Sequence, residues 1–363
     1  MENLKLFEKA HHPDYEGLLK NIRRSGTPDR VYFMELFYDD EIARAVEKQY
    51  GVTGRLNPAA PEYEWQRAIA LQRFLGYDTV RTSLLALDTG AGQTAGDTTR
   101  GDQARQERSW ANEHRGLIAT WEDFERYPWP DANKLTLDTR ALEWFEKNLP
   151  DDMAVIVHGG HFCEYLAWLM GYETLCYALH DQRDLVQAIA NKVLQLETAA
   201  CKVALQFKRV HLFWGSDDMG FKTGLMLRPD DMRHFVLTGH KKLAAMTHAA
   251  GKVYLLHACG KRKEIIEDLI ADVELDALHS WEDTIEPITD AKRNYGARLS
   301  LLGGIDVDFL VRSTPDAIRK RVRETVAVCQ PGGGFCLGSG NTVANYIPLE
   351  NYLTMLDEGR RSG

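Results

Sequence analysis

Lys252-Val253-Tyr254-Leu255-Leu256-His257-Ala258-Cys259-Gly260 is an apolar run that ends in an imidazole, a thiol and a glycine. Its β-branched and aromatic residues, bounded by Gly251 and Gly260, predict a buried strand. Side chains alternate faces along a strand, so His257 and Cys259 point the same way where the strand runs out. Nitrogen and sulfur side by side suit a borderline-soft cation such as zinc. The same pair also reads as a satisfied core histidine beside an inert buried cysteine. What decides between the two is whether this strand end is core or an open mouth, and that depends on the fold.

Seven further strand-like runs are present, most with the dense Val, Ile, Leu and Phe composition of strands covered on both faces. The eight runs are 31–37, 79–85, 153–158, 211–216, 253–259, 276–281, 299–305 and 334–338. Helical periodicity marks 62–75, 185–206, 229–250, 263–271, 285–295 and 315–329 between them. Pro229 stands at a first-turn position, and Thr284 and Ser313-Thr314 are cap candidates. Strand–helix alternation at this spacing implies parallel strands joined by right-handed crossovers. Eight such units predict a single (β/α)8 barrel spanning residues 1–363. One segment interrupts the alternation. Residues 88–102, rich in Gly, Thr and Asp, predict a loop, and 107–118 a hairpin. Together, 88–118 form a lid-like insertion after the second strand, or a merely tolerated one.

Composition excludes several functions. A formal charge of −9 argues against a nucleic-acid surface, and no basic-aromatic stretch offsets it. No apolar run approaches the roughly 18 residues needed to span a bilayer. The opening stretch carries no signal-peptide core, so a cytoplasmic, reducing location is expected. The six cysteines then need not pair, and none forms C-x-x-C.

A barrel of this kind builds its site at the C-terminal ends of its strands. Those ends carry, in order, Glu35, Arg81, His158 with His161, and Asp217-Asp218. They continue with His257 and Cys259, His279 with Glu282-Asp283, Asp306, and Cys336 with Ser339. Titratable groups gathered at one rim, with few inside the strands, argue for a site, because desolvating them without partners costs several kcal/mol. Cys336 is the third soft ligand on offer. Two thiolates and one imidazole would leave an open fourth position, for Glu282 or Asp306 to fill or support. The glycine-rich run 332–340 lacks the phosphate-loop pattern and is weak evidence for a nucleotide.

With these residues in place, the chain resembles the uroporphyrinogen decarboxylase superfamily. The resemblance rests on Leu169-Met170-Gly171-Tyr172-Glu173, Asp217-Asp218, Arg228-Pro229-Asp230-Asp231-Met232, His257-Ala258-Cys259-Gly260, Leu302-Gly303-Gly304-Ile305-Asp306, Leu337-Gly338-Ser339-Gly340 and Pro348-Leu349-Glu350-Asn351. It implies a (β/α)8 barrel. Where true decarboxylases carry an arginine-rich segment after the first strand, this chain has Glu35-Leu36-Phe37-Tyr38-Asp39-Asp40. The His-x-Cys-Gly signature is similar to the corrinoid-dependent methyltransferase branch, in which that pair binds zinc. The branch's third ligand, a cysteine, corresponds to Ser339 here, with Cys336 three residues upstream as the replacement.

The resemblance implies zinc-assisted methyl transfer between a small donor or acceptor and a corrinoid (cobalamin) carried by a partner protein. His257, Cys259 and Cys336 would hold the metal. Asp217, Asp218, Glu282 and His158 would orient ligands or move protons. Glu35, Arg81, His161, His279, Asp306 and Ser339 would meet substrate. The first alternative is decarboxylation of a porphyrinogen or smaller acid, with Arg81, or His158 and His161, as the anion partner. The second is a non-catalytic barrel that binds a tetrapyrrole or docks a corrinoid protein through Trp110, Trp121 and Trp129. A homodimer is also implied.

Overall fold

Eight parallel strands form one curled sheet wrapped by helices, in a computed structural model that describes residues 11–89, 93–96, 107–110 and 114–362. In chain order the strands are β1 (Tyr32–Phe33), β2 (Thr79–Ser83), β3 (Gln93–Gly96), β4 (Glu107–Trp110), β5 (Ala154–Gly159), β6 (Val210–Ser216), β7 (Val253–His257), β8 (Ala277–His279), β9 (Ser300–Ile305) and β10 (Phe335–Ser339). The large sheet runs β1-β10-β9-β8-β7-β6-β5-β2, and every pairing in it is parallel. This is the order of a (β/α)8 barrel, with β1 and β2 at the two ends of the order.

The interior of the barrel is a packed layer rather than a pore. Met34, Ile156, Trp214, Leu255, Leu302 and Cys336 face inward, and the helix Tyr15–Ile22 adds Leu18 and Ile22. That helix closes the N-terminal floor: Asn21 Nδ2 donates to Phe335 O at 2.7 Å, and Gly334 N donates to Asn21 O at 2.8 Å. The larger apolar cluster fills the space between strands and outer helices. Among the described residues, no helix is long and apolar enough to cross a membrane.

Several boundaries differ from expectation for local reasons. Proline at 287 moves the start of the helix expected from 285, which instead spans Ile288–Tyr295 with Pro287 at its N-cap. The helix expected over 229–250 includes a wide-turn segment, Met232–Leu237, before Thr238–Ala249. At its start Thr238 Oγ1 donates to the carbonyls of Arg233 and His234. The cap predicted at Thr314 is present, its side chain accepting from Ala317 N. In the insertion, β3 pairs with β4 antiparallel. The hairpin's first arm therefore comes from the stretch expected to be loop, and its second arm ends well short of 118. Residues 90–92 and 97–102 of the expected loop lie outside the described residues.

Candidate metal centre at the barrel mouth

β7 ends at His257, and the chain must then turn sharply to reach its helix. Gly260 makes the turn at φ +85°, where a Cβ would lie 2.0 Å from the backbone carbon of Gly220. Only glycine permits so close an approach in this conformation. The loop after β6 is thereby pressed against the end of β7. Lys261 N donates to Phe221 O at 2.9 Å, and Cys259 N donates to Asp218 Oδ1 at 3.2 Å. The result is a three-residue cluster. His257 Nε2 lies 3.3 Å from Cys259 Sγ and 3.5 Å from Asp218 Oδ1, and all three ligand atoms fall within 4.8 Å of one another.

A chain of hydrogen bonds sets the histidine's tautomer. His279 Nε2 lies 3.3 Å from Ser339 O, a carbonyl that can only accept, so this nitrogen carries the proton. Burial, reinforced by the neighbouring His257, pushes the His279 pKa well below the usual range, so the ring is neutral and its Nδ1 accepts. His257 Nδ1, 2.7 Å away, therefore donates, and His257 Nε2 turns a lone pair towards Cys259 and Asp218. A metal-binding histidine is usually oriented in this way, by a partner on its other nitrogen. Burial works against ionising Asp218, but the neighbouring His257 and the hydrogen bonds from Cys259 outweigh it and hold the carboxyl at about 2. Burial, and then the charge of Asp218, pushes the Cys259 thiol pKa up. Three electron-rich atoms thus converge where only a proton or a cation can reconcile them, and a set of nitrogen, sulfur and oxygen fits zinc. Asn341 Nδ2, donating to Cys259 Sγ at 3.2 Å, supports the thiolate form.

The expected third ligand is not part of this cluster. Cys336 is completely buried in the barrel interior, where it accepts from Asn21 Nδ2 at 3.5 Å. It pairs in register with Tyr32 and Leu302, three residues before Ser339 ends β10. Three residues of strand rise, about 10 Å, separate its level from the mouth. Asp218, expected to orient ligands or move protons, takes the third place instead.

The other expected site residues separate into groups. Ser339 donates to Glu35 through its backbone N and its Oγ, both at 2.6 Å, and Glu35 is wholly buried. Burial raises the Glu35 carboxyl to about 8, although the Ser339 hydrogen bonds and Arg81 oppose the rise. Arg81 spends its terminal nitrogens on the carbonyls of Leu36 and Glu35 and so stitches β2 to the chain beyond β1. Asp217, also wholly buried, accepts from Cys163 N and Glu164 N at 2.9 Å each and pairs with His240 Nε2 at 2.8 Å. It anchors the start of the helix Cys163–Met170, where a negative charge is favoured, and has no oxygen left for substrate. Asp306 caps the helix Val307–Arg312 and also accepts from Asp283 N at 3.0 Å. His161 Nδ1 lies 2.9 Å from Glu164. His158 stacks on Trp214 at 5.3 Å, and its buried Nε2 has no partner among the described residues. Burial, then Arg81, holds the His158 pKa well below the usual range. Glu282 lines a cleft of about 750 Å³ with Lys222, Asp306, Phe309, Asn341 and Tyr346, and Asn341 joins that cleft to Cys259.

Asn341, His240 and Glu164 have roles that the sequence reading did not assign. Asn341 stands directly after the glycine-rich strand end, which marks it in hindsight. His240 lies on a helix whose periodicity gave no sign of a polar partner, and Glu164 on a short helix outside the stretches marked by periodicity.

A (β/α)8 barrel with a partly exposed N/S/O cluster at the C-terminal ends of β6 and β7 defines a class of protein suited to metal-assisted chemistry. The sequence profile described as "Uroporphyrinogen decarboxylase (URO-D)" matches residues 113–362, and the chain belongs to that family. Among solved structures, it is similar to a methyltransferase from Methanosarcina mazei, with a TM-score of 0.69 and 17% identity over 95% of this chain and 97% of that one. It also aligns with a B12-independent methionine synthase from Shewanella sp. W3-18-1 in complex with selenomethionine, with a TM-score of 0.48 and 10% identity over 93% and 94% of the two chains. No curated protein matches the sequence.

Proposed function

We propose that the protein is a zinc-assisted methyltransferase that exchanges a methyl group between a small substrate and a corrinoid carried by a partner protein. The observation that supports this reading most is the convergence of His257 Nε2, Cys259 Sγ and Asp218 Oδ1 on one point at the barrel mouth. Family membership and the likeness to the Methanosarcina methyltransferase agree with it. Bound zinc would act as a Lewis acid, lowering the pKa of an acceptor thiol or polarising a donor's methoxy oxygen. His279 holds the His257 ring in the ligating tautomer, Asn341 steadies the Cys259 sulfur, and Asp218 supplies the hard oxygen. Glu282, on the wall of the neighbouring cleft, is placed to hold or move a proton on a substrate entering there.

The decarboxylase reading is weaker, because of its expected anion partners Arg81 has both terminal nitrogens on backbone carbonyls, burial keeps His158 from carrying a charge, and His161 already faces Glu164. Metal analysis of the purified protein tests the proposal. One zinc per chain, lost in His257→Ala and in Cys259→Ala, is expected, with methyl transfer lost alongside. A protein that never holds stoichiometric zinc, or a His257→Ala variant of unchanged activity, would refute it.

A further inference from the structure

Glu35, expected to meet substrate, is wholly buried just beyond β1, as are Ser339 at the end of β10 and His279 at the end of β8. These three residues and His257 form one continuous line of hydrogen bonds. Glu35 takes both the backbone N–H and the hydroxyl of Ser339, at 2.6 Å each. The carbonyl of Ser339 accepts from His279 Nε2 at 3.3 Å, and His279 Nδ1 accepts from His257 Nδ1 at 2.7 Å. The line follows the sheet order β1-β10-β9-β8-β7 and ends at the metal cluster. β9 contributes an opening rather than a side chain. Gly303 sits at φ +93°, and a Cβ there would lie 2.3 Å from Ser339 O and 2.9 Å from His279 Nε2. Any larger residue would wedge the link apart. Glu35 is itself fixed from behind, where Arg81 donates to its carbonyl at 2.8 Å. Buried polar groups that satisfy one another in this way hold a single arrangement.

We propose that Glu35 and Ser339 are positioning residues for the metal centre. Glu35 clamps the end of β10 by two bonds, which sets the Ser339 carbonyl against His279 Nε2. That carbonyl fixes the proton on His279 Nε2, so His279 Nδ1 accepts and His257 keeps its own proton on Nδ1. Nε2 of His257 is then free to bind a metal. Without the clamp the strand end shifts, His279 turns, and His257 loses the partner that orients it. Glu35 and Ser339 act only through His279 and His257, and the proposal rests on the reading of His257, Cys259 and Asp218 as a metal centre.

Long-range proton–nitrogen NMR of the metal-free, full-length protein carrying isotopically labelled histidine reads the tautomer of each ring, and the His257→Ala spectrum identifies the signals of His257. The unaltered protein is expected to show His257 protonated on Nδ1. Ser339→Ala removes one of the two bonds and should move part of the His257 signal to the Nε2-protonated form, with zinc affinity in chelator competition falling about fivefold. Glu35→Met removes both bonds, and affinity should fall about tenfold or more. Glu35→Gln can still accept from Ser339 N and donate to Ser339 Oγ, so it should keep both readouts near those of the unaltered protein. A buried acid that served stability alone would move the unfolding midpoint in these variants and neither readout. The proposal is overturned if Ser339→Ala changes neither the tautomer nor the affinity, or if Glu35→Gln is as impaired as Glu35→Met. Ser339→Ala loses a single hydroxyl and should fold, so the test stands even where Glu35→Met does not. The tautomer is read without metal. A protein that shows the expected tautomer and its response to Ser339→Ala, yet takes up no zinc, would overturn the methyltransferase reading and leave the positioning of His257 in place.

Discussion

Asp218 and Cys336 exchange the places that their residue types suggest. A thiol near the last strand's end looks like the better zinc ligand, and an aspartate beside another aspartate looks like a helper. Position decides otherwise. Cys336 faces the floor-side interior and Asn21, whereas Asp218 sits on the loop that Gly260 lets close against β7. Asp218→Asn should therefore weaken zinc binding by at least tenfold, measured by competition with a chromophoric chelator. Cys336→Ala should leave zinc binding intact and cost about 1 kcal/mol of stability in urea, because it removes only a buried sulfur. His279→Phe should lower zinc affinity by about 10–100-fold, since it removes the partner that fixes the His257 tautomer. The His257–Cys259 pair was legible in sequence because strand parity is local. The third member of the cluster was not, because it depends on how two loops from different strands meet.

At the level of elements, the seam between β1 and β2 depends on a side chain. Arg81 donates to the carbonyls of Glu35 and Leu36 across it. Arg81→Met would leave two acceptors unsatisfied and should destabilise the protein by about 3 kcal/mol in denaturant unfolding, with zinc content per folded chain unchanged. A loss of zinc with no loss of stability would show that Arg81 belongs to the site. Most strands and helices were legible because runs buried on both faces are dense in Val, Ile and Leu. The seam was not, because its hydrogen bonds come from a charged side chain that the sequence reading assigned to substrate. Likewise, several of the residues expected to act on or meet substrate at the strand ends hold that rim together. Asp217 anchors a helix start, Asp306 caps a helix, and Ser339 binds Glu35.

For the whole molecule, Glu35 sets a pH dependence. Its carboxyl is raised to about 8 in the fold, chiefly by burial, and lies near the ordinary glutamate value when unfolded. Between those values the folded state holds a proton that the unfolded state has released, so stability falls as pH rises from about 4.5 to about 8. Above that range the loss is complete. Glu35→Gln should flatten this slope in urea unfolding measured across pH 5–9, and an unchanged slope would assign the dependence to other groups. The barrel as a whole sets a rigid mouth over a packed interior, and the account of its chemistry rests on what three side chains at that mouth hold. X-ray absorption at the zinc edge of the zinc-loaded protein counts the sulfur neighbours directly. One sulfur at about 2.3 Å is expected, with the remaining ligands nitrogen and oxygen. Two sulfurs, or no stoichiometric zinc to measure, would contradict it.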